Sequence, residues 1–426
     1  MTENRERILV MSHAHPDFSL GGGEIAAYNL FKAYRRREDV EDAWFLARVD
    51  RGRGATGIIG KRRQNEYIWE QGVADWTMKA AHRESVVTWF ADLVRALRPT
   101  IVHAHHFVHL GLDFLQVLRQ IDPSIKIYLT LHEYVAICAN NGQMIKTNGR
   151  LCSRESIDEC RLCFPHRTSE EFWLRRHHLQ GHFALVDGFI SPSEFLRERY
   201  IAWGIDPDRI VVIENGQSEH EQLPPRALPS GGTRNRFGYF GQINPFKGLD
   251  VVLEALHSMT PKQRKRLVVE VHGANLELQS GEYQERIQHL RDELMADGVL
   301  RWAGPYQPHE LPERMAGVDW VLVPSKWWEN SPMVIQEALT YGRPLAVSNI
   351  GGMAEKVQNG ITGLHVPVGN HLAWADALLE LAQFDDEWTA LRDGIQKPLT
   401  YDECAQEHID TYSRWSEQWT SSRESA

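Results

Sequence analysis

Trp320-Val321-Leu322-Val323-Pro324-Ser325-Lys326-Trp327-Trp328-Glu329-Asn330-Ser331-Pro332-Met333-Val334-Ile335-Gln336-Glu337-Ala338 is the stretch that decides the fold. It opens on a short apolar run stopped by proline, the composition of a strand buried on both faces. A polar loop follows, and Pro332 then starts a helix, because proline suits the first helical turn. Glu329 falls in the loop, and Glu337 lies one to two turns inside the helix. A carboxylate set among Val334, Ile335, Ala338 and Leu339 needs a partner once it is buried. Ribose or sugar hydroxyls donate well to a carboxylate, which makes the pair candidate sugar ligands. The competing reading is two unrelated glutamates, one of them on a wet helix face.

The same strand–loop–helix rhythm runs outward in both directions. Toward the N-terminus the apolar runs are Arg7–His13, Trp44–Ala47, Ile101–His105, Lys126–His132, Gly188–Ser191 and Ile210–Ile213. Around the opening stretch they are Phe237–Phe240, Leu267–Val271, Leu300–Ala303, Trp320–Val323, Leu345–Ser348 and Gly363–Val366. Amphipathic helices lie between them: Ala27, Leu30, Phe31 and Tyr34 keep helical spacing, as do Val252, Ala255, Leu256 and Met259. Repeated strand–helix units predict an α/β protein of two Rossmann-like, doubly wound domains. Pro224-Pro225, Pro229 and Gly231-Gly232 interrupt all periodicity near 217–235 and mark the boundary. The expected division is 1–216 with a cysteine-rich insert at 138–166, then 217–398, then a helical tail at 399–426. Trp415 and Trp419 on that tail suggest that it packs back on the first domain.

Composition narrows the function. The 426 residues are 42% hydrophobic and 24% charged, as in an ordinary globular protein. Mean hydropathy is -0.42, no apolar run is long enough to span a membrane, and Met1–Arg7 is highly charged, so a cytoplasmic protein is expected. Residues 1–215 carry 28 basic and 28 acidic side chains, so the net charge of -10 lies wholly in the remainder. This balance argues against nucleic acid as a partner. Arg35-Arg36-Arg37 and Lys61-Arg62-Arg63 allow at most weak peripheral contact with an anionic membrane, although a charge run is usually a solvated face.

In open parallel sheets, ligands bind beyond the carboxyl ends of the strands. After the first run comes Ser12-His13, then Leu20-Gly21-Gly22-Gly23-Glu24 opening a helix, where glycines and free N–H groups suit an anion. The spacing is not GxGxxG, which counts against a nicotinamide dinucleotide. Two further runs end in His103-Ala104-His105-His106 and in His132-Glu133. Any one such histidine is usually structural, but two strand ends finishing in histidine point to a site, with His132 favoured. Phe240-Gly241-Gln242-Ile243-Asn244-Pro245-Phe246-Lys247-Gly248 places a lysine at the mouth of a helix, a sensible phosphate grip.

With these motifs the chain resembles the retaining glycosyltransferases of family 4, which have the GT-B fold of two domains facing a cleft. The resemblance runs from Val10 to about Asp402. It rests chiefly on Glu329 to Glu337, followed by Tyr341-Gly342-Arg343-Pro344 and Gly351-Gly352-Met353-Ala354-Glu355. It implies transfer of a sugar from a nucleoside diphosphate sugar to a hydroxyl of a glycan, lipid-linked or small-molecule acceptor, with retention and without a catalytic metal. By the same resemblance Glu329 holds donor-sugar hydroxyls and Glu337 the ribose. Lys247 and the backbone from Asn330 through Ser331 to Met333 meet the diphosphate, Gly22 and Gly23 form the glycine loop, and His132 lies near the transferred sugar. One departure stands out: Gln242 occupies the place where the family commonly has arginine, and a neutral amide makes no charge-assisted contact. The alternatives are a nucleotide-sugar epimerase of this fold and a non-catalytic scaffold that kept it.

Four of five cysteines, Cys138, Cys152, Cys160 and Cys163, fall within 26 residues. Cys160-Arg161-Leu162-Cys163 has knuckle spacing, and four thiolates would close a structural zinc site. The alternatives are an iron–sulfur cluster and plain reduced thiols.

Overall fold

Ile8, Leu9, Val10 and Met11 have no exposed surface, as a strand covered on both faces requires. The structure is a computed structural model that describes residues 5–19, 21–51, 54–383 and 385–424. Leu20 and the Trp419 side chain, both singled out above, lie outside the described residues. Residues up to Gly216 together with those from Leu399 onward form one compact unit, and Gln217–Pro398 forms the other.

The first unit holds β1 (Glu6–Ser12), β2 (Val40–Val49), β3 (Ile59–Arg63), β4 (Glu66–Glu70), β5 (Ile101–Ala104), β6 (Lys126–Thr130), β7 (Gly188–Ser191) and β8 (Ile210–Val212). They make one sheet in the order β3-β4-β2-β1-β5-β6-β7-β8, parallel except where β3 meets β4. The sequence reading contained neither β3 nor β4. Ile59–Arg63 is exposed along nearly its whole length and too polar for an apolar-run search, and Asn65 at φ 63° supplies the left-handed turn. Its charged residues protect the sheet edge. Arg62 and Arg63 both bind Asp17, and Arg36 and Arg37 bind Asp402 and Asp39. Four of the six basic side chains in the two clusters are therefore ion-paired within the fold.

The tail helix Tyr401–Glu424 belongs to this unit. Tyr412 stacks on Tyr128 with ring centroids 4.1 Å apart, and Trp415 packs so closely over Gly188 that a Cβ there would overlap the indole.

The second unit holds β9 (Arg236–Gln242), β10 (Val268–Ala274), β11 (Leu300–Trp302), β12 (Trp320–Val323), β13 (Leu345–Ser348) and β14 (Gly363–Val366). Their order is β11-β10-β9-β12-β13-β14, all parallel. Every apolar run named from sequence is a strand in one of these two sheets. The proline-rich segment after Gln217 is not a loose connector. The fully buried Arg343 donates to the carbonyls of Pro224 and Met315, and the buried Asp319 binds Arg226 and Arg234. Among the described residues no helix is long and apolar enough to cross a membrane.

Strand order reverses direction between β9 and β12 in one sheet and between β1 and β5 in the other. Loops leaving such neighbours splay apart and open a crevice at their carboxyl ends, so ligand sites are sought there.

Candidate active site

In the second unit the loops after β9 and β12 flank the switch point, and they are locked together. Lys326 N–H donates to the Phe246 carbonyl at 2.7 Å, and the Lys326 ammonium reaches Asp250 at 2.7 Å. Gly248, at φ 72°, sits so close to the Pro324 carbonyl that a Cβ would overlap it. This packing sets Lys247 against Glu329. Lys247 Nζ donates to Glu329 Oε1 at 2.7 Å, and the same oxygen accepts from Ser325 Oγ at 2.8 Å and Trp327 Nε1 at 3.0 Å. Burial would raise the Glu329 pKa, but the Lys247 charge and these three donors outweigh it and hold the carboxyl below its ordinary value.

The backbone after Glu329 is braced from the other side. Gly352 N–H donates to the Glu329 carbonyl at 2.7 Å, and side chains at Gly351 or Gly352 would collide with the carbonyls of residues 329 and 330. The helix is Met333–Thr340, with Pro332 as its extended N-cap rather than its first helical residue. Ser331 Oγ accepts from Gln336 Nε2 at 2.7 Å, and Met333 opens the first turn, the end of a helix that favours an anion. Glu337 lies one turn further in. Its carboxylate makes no hydrogen bond or ion pair among the described residues, and burial alone pushes its pKa up to about 7. Gln242 ends β9 on an exposed face, its carbonyl held by the Tyr239 hydroxyl at 2.6 Å.

In the first unit the switch point is lined by histidines. The helix Gly22–Tyr34 starts after Gly21, and the buried Glu24 in its first turn accepts from Ser19 Oγ at 2.8 Å and lies 3.3 Å from His13 Nε2. Burial opposes ionisation of Glu24, yet the His13 and Ser19 bonds bring its pKa down to about 2. His106, two residues beyond β5, makes a tilted contact with His13 and stacks on His132, at centroid distances of 3.7 and 5.0 Å. His132 after β6 pairs Nε2 with His105 Nδ1 at 3.0 Å. Burial, with the His13 charge behind it, lowers the His132 pKa to about 4, so this ring is neutral at pH 7. A Cβ at Gly23 would overlap His106 Nε2, so the third glycine is needed to admit the ring. Glu133 has a buried Oε1 without a partner, and burial pushes its pKa up to about 7.

The structure thus brings together Lys247 with Glu329, and Gly23, next to Gly22 in the helix start, with His132. His13, Glu24, His106 and Glu133 join the second group, and the sequence reading quoted these four in its motifs without assigning them a role. Their signal is position: each lies just beyond β1, β5 or β6, or in the helix turn that follows. It becomes legible only once strand order is known.

The four insert cysteines form no disulfide among the described residues, and each is half-buried. Burial raises the Cys138 pKa and pushes that of Cys160 up to about 11. Their loop is pinned at its base by the buried Arg175, which donates to the carbonyls of Val135 and Ala136 at 2.6 and 2.9 Å. No three of their sulfurs come within the 4.8 Å that a shared metal requires; among the described residues only His13, Glu24 and His106 do.

Residues 20–218 match the model of Glycosyltransferase Family 4, and residues 223–393 match that of Glycosyl transferases group 1. A D-inositol 3-phosphate glycosyltransferase of Corynebacterium glutamicum is 28% identical over 53% of this chain and 53% of its own length. One from Nocardioides is 30% identical over 49% of each. The match therefore spans about half the length of these curated relatives. Among solved structures, the sucrose-phosphate synthase of Thermosynechococcus elongatus superposes with a TM-score of 0.69, covering 97% of this chain and 100% of that one at 16% identity. Anabaena Alr3699/HepE, solved in complex with UDP and glucose, superposes at 0.62 over 96% and 100%, also at 16% identity. At such identities the likeness shows the two-domain α/β fold alone.

Proposed function

This chain belongs to the family 4 glycosyltransferases, and on that premise we propose that it moves a sugar from a nucleoside diphosphate sugar to an acceptor hydroxyl with retention of configuration. The observation that carries this reading is the second-domain switch point. There a buried carboxylate and a lysine are pre-paired beside a helix start, and an unpartnered carboxylate lies one turn further on.

In this reading Glu329 accepts from the donor-sugar hydroxyls, and Glu337 accepts from the ribose. Lys247 turns from Glu329 toward the diphosphate as the donor enters, joined by the N–H groups of Asn330, Ser331 and Met333. Charge that builds on the departing diphosphate then meets donors already in place, which is worth more than donors that must reorganise. Gln242 contributes an amide and no charge. In the first domain His132, neutral at pH 7, offers a hydrogen-bonding ring to the transferred sugar, and Gly23 brings backbone close to it. UDP-sugars are the first donors to test, since a fold neighbour was solved with UDP and glucose. Polyol phosphates are the first acceptors, given the names of the curated relatives. Synthesis of a glycan or glycoconjugate in the cytoplasm is the setting we assign. For the insert we retain structural zinc on Cys138, Cys152, Cys160 and Cys163; its support is spacing and composition, and a metal there would have to draw the loop together.

The test is a thermal-shift screen of the purified chain against UDP, GDP, ADP and their common sugars. One nucleotide family should raise the melting temperature, by an amount set by RT ln(1 + [L]/Kd). The same donor should then be consumed when acceptor is added. A flat screen across all nucleotides overturns the transferase reading.

A further inference from the structure

We propose that His13, Glu24 and His106 form a divalent-metal site of zinc type on the first domain. One ligand atom from each lies within 4.8 Å of the others, an arrangement that no other His, Cys, Asp or Glu trio reaches among the described residues. The closest approach, His13 Nε2 to Glu24 Oε1, is 3.3 Å. Two atoms each about 2.0–2.1 Å from a tetrahedral zinc are separated by about that distance.

The surroundings are those of a built site. The ligands come from three elements that meet at the switch point: the end of β1, the first turn of the helix Gly22–Tyr34, and the end of β5. Metal-bound histidines are characteristically held by their second ring nitrogen. His106 Nδ1 is engaged by the fully buried Ser12 Oγ at 3.3 Å, which leaves Nε2 for a metal. Ser19 Oγ fixes the Glu24 carboxylate in the same way. Gly23 lets the start of the helix approach His106 Nε2, because a Cβ there would lie 2.6 Å from that nitrogen. The charge also suits a cation. A second carboxylate, that of Glu133 just beyond β6, has its Oε1 buried and without a hydrogen bond among the described residues.

Three protein ligands with His13 partly exposed leave one position open, the pattern of a site that takes an oxygen from water or from a substrate hydroxyl or phosphate. A plain His13–Glu24 ion pair accounts for two of the three residues. It does not account for His106, whose ligand atom lies within 4.8 Å of the other two. This site is distinct from the insert cysteines in donor chemistry as well as in sequence.

Cobalt(II) added to the full chain after dialysis against a chelator tests the proposal, because its visible spectrum reports the donor atoms. The expected result is a visible ligand-field band with nitrogen and oxygen donors, reversed by zinc and unchanged in Cys160→Ser. The band should be lost in Glu24→Gln and His106→Ala, and Ser12→Ala, which removes no ligand, should weaken binding about 10- to 100-fold. Thermal melts of the metal-free variants establish that each is folded, and Ser12→Ala decides if His106→Ala is not. Absence of the band, a spectrum with thiolate charge transfer alone, or equal affinity in wild type and in the folded variants overturns the site. No substrate enters the experiment, so its outcome is independent of the transferase reading.

Discussion

At the switch point of the second domain a single oxygen of Glu329 receives a lysine, a serine and a tryptophan; at that of the first, His13, His105, His106 and His132 lean on one another around a single ion pair. One site is charged and fully wired before any ligand arrives. The other is mostly neutral, because burial disfavours imidazolium in rings that already neighbour one another. A wired carboxylate–lysine pair suits a step that releases an anion, since the cation is present and needs only to be redirected. A neutral aromatic cluster suits polar groups that need hydrogen bonds and little net charge. The difference gives each site its own failure mode, and substitutions tell the two apart.

The largest effect is expected at Glu329. Glu329→Ala removes the acceptor of three donors and, in the reading above, the grip on the sugar. Turnover should fall by about 100-fold or more, with the far-ultraviolet circular dichroism unchanged. Near-normal turnover would remove Glu329 from the donor site and break the contrast between the two domains.

Lys247→Ala should act less severely and on binding first. A hydrogen bond to a charged group contributes about 1.5–3 kcal/mol, so donor affinity should weaken by about 10- to 100-fold in calorimetric titration. Unchanged affinity would mean that the lysine serves only to neutralise Glu329.

How much of this was legible before the structure depended on sequence distance. Glu329 and Glu337 are eight residues apart in one strand–loop–helix unit, so local periodicity sufficed to see them as a pair. The apolar strands were equally plain, since Ile8–Met11 and Trp320–Val323 are unbroken buried runs. His13, Glu24 and His106 are spread over more than ninety residues. They meet only because β1 lies beside β5, a fact of topology that no local pattern carries. β3 escaped for another reason: edge strands are charged to discourage pairing, which erases the signal used to find strands, and β4 offers only three apolar residues between glutamates. The cysteine insert shows the converse. Spacing suggested a convergence of four sulfurs that the folded loop does not display.

The smallest and sharpest effect concerns Glu337, which stands against Glu329 within the same domain. Glu329 is held ionised by its neighbours, whereas Glu337 makes no hydrogen bond or ion pair among the described residues, and its pKa of about 7 places it at the edge of ionisation. Hydroxyls of a ribose donate to the carboxylate form, so the ionised state is the one that binds. Below pH 7 the group is protonated and must lose its proton to bind; above pH 7 that cost vanishes. Affinity for a nucleoside diphosphate sugar, whose esterified diphosphate does not itself titrate in this range, should therefore rise roughly tenfold from pH 6 to pH 8 and then level off. Glu337→Gln keeps the shape and removes the titration, so its affinity should be weaker and flat across the same range. A variant that retains the full rise would place the titrating group elsewhere, and with it the ribose contact.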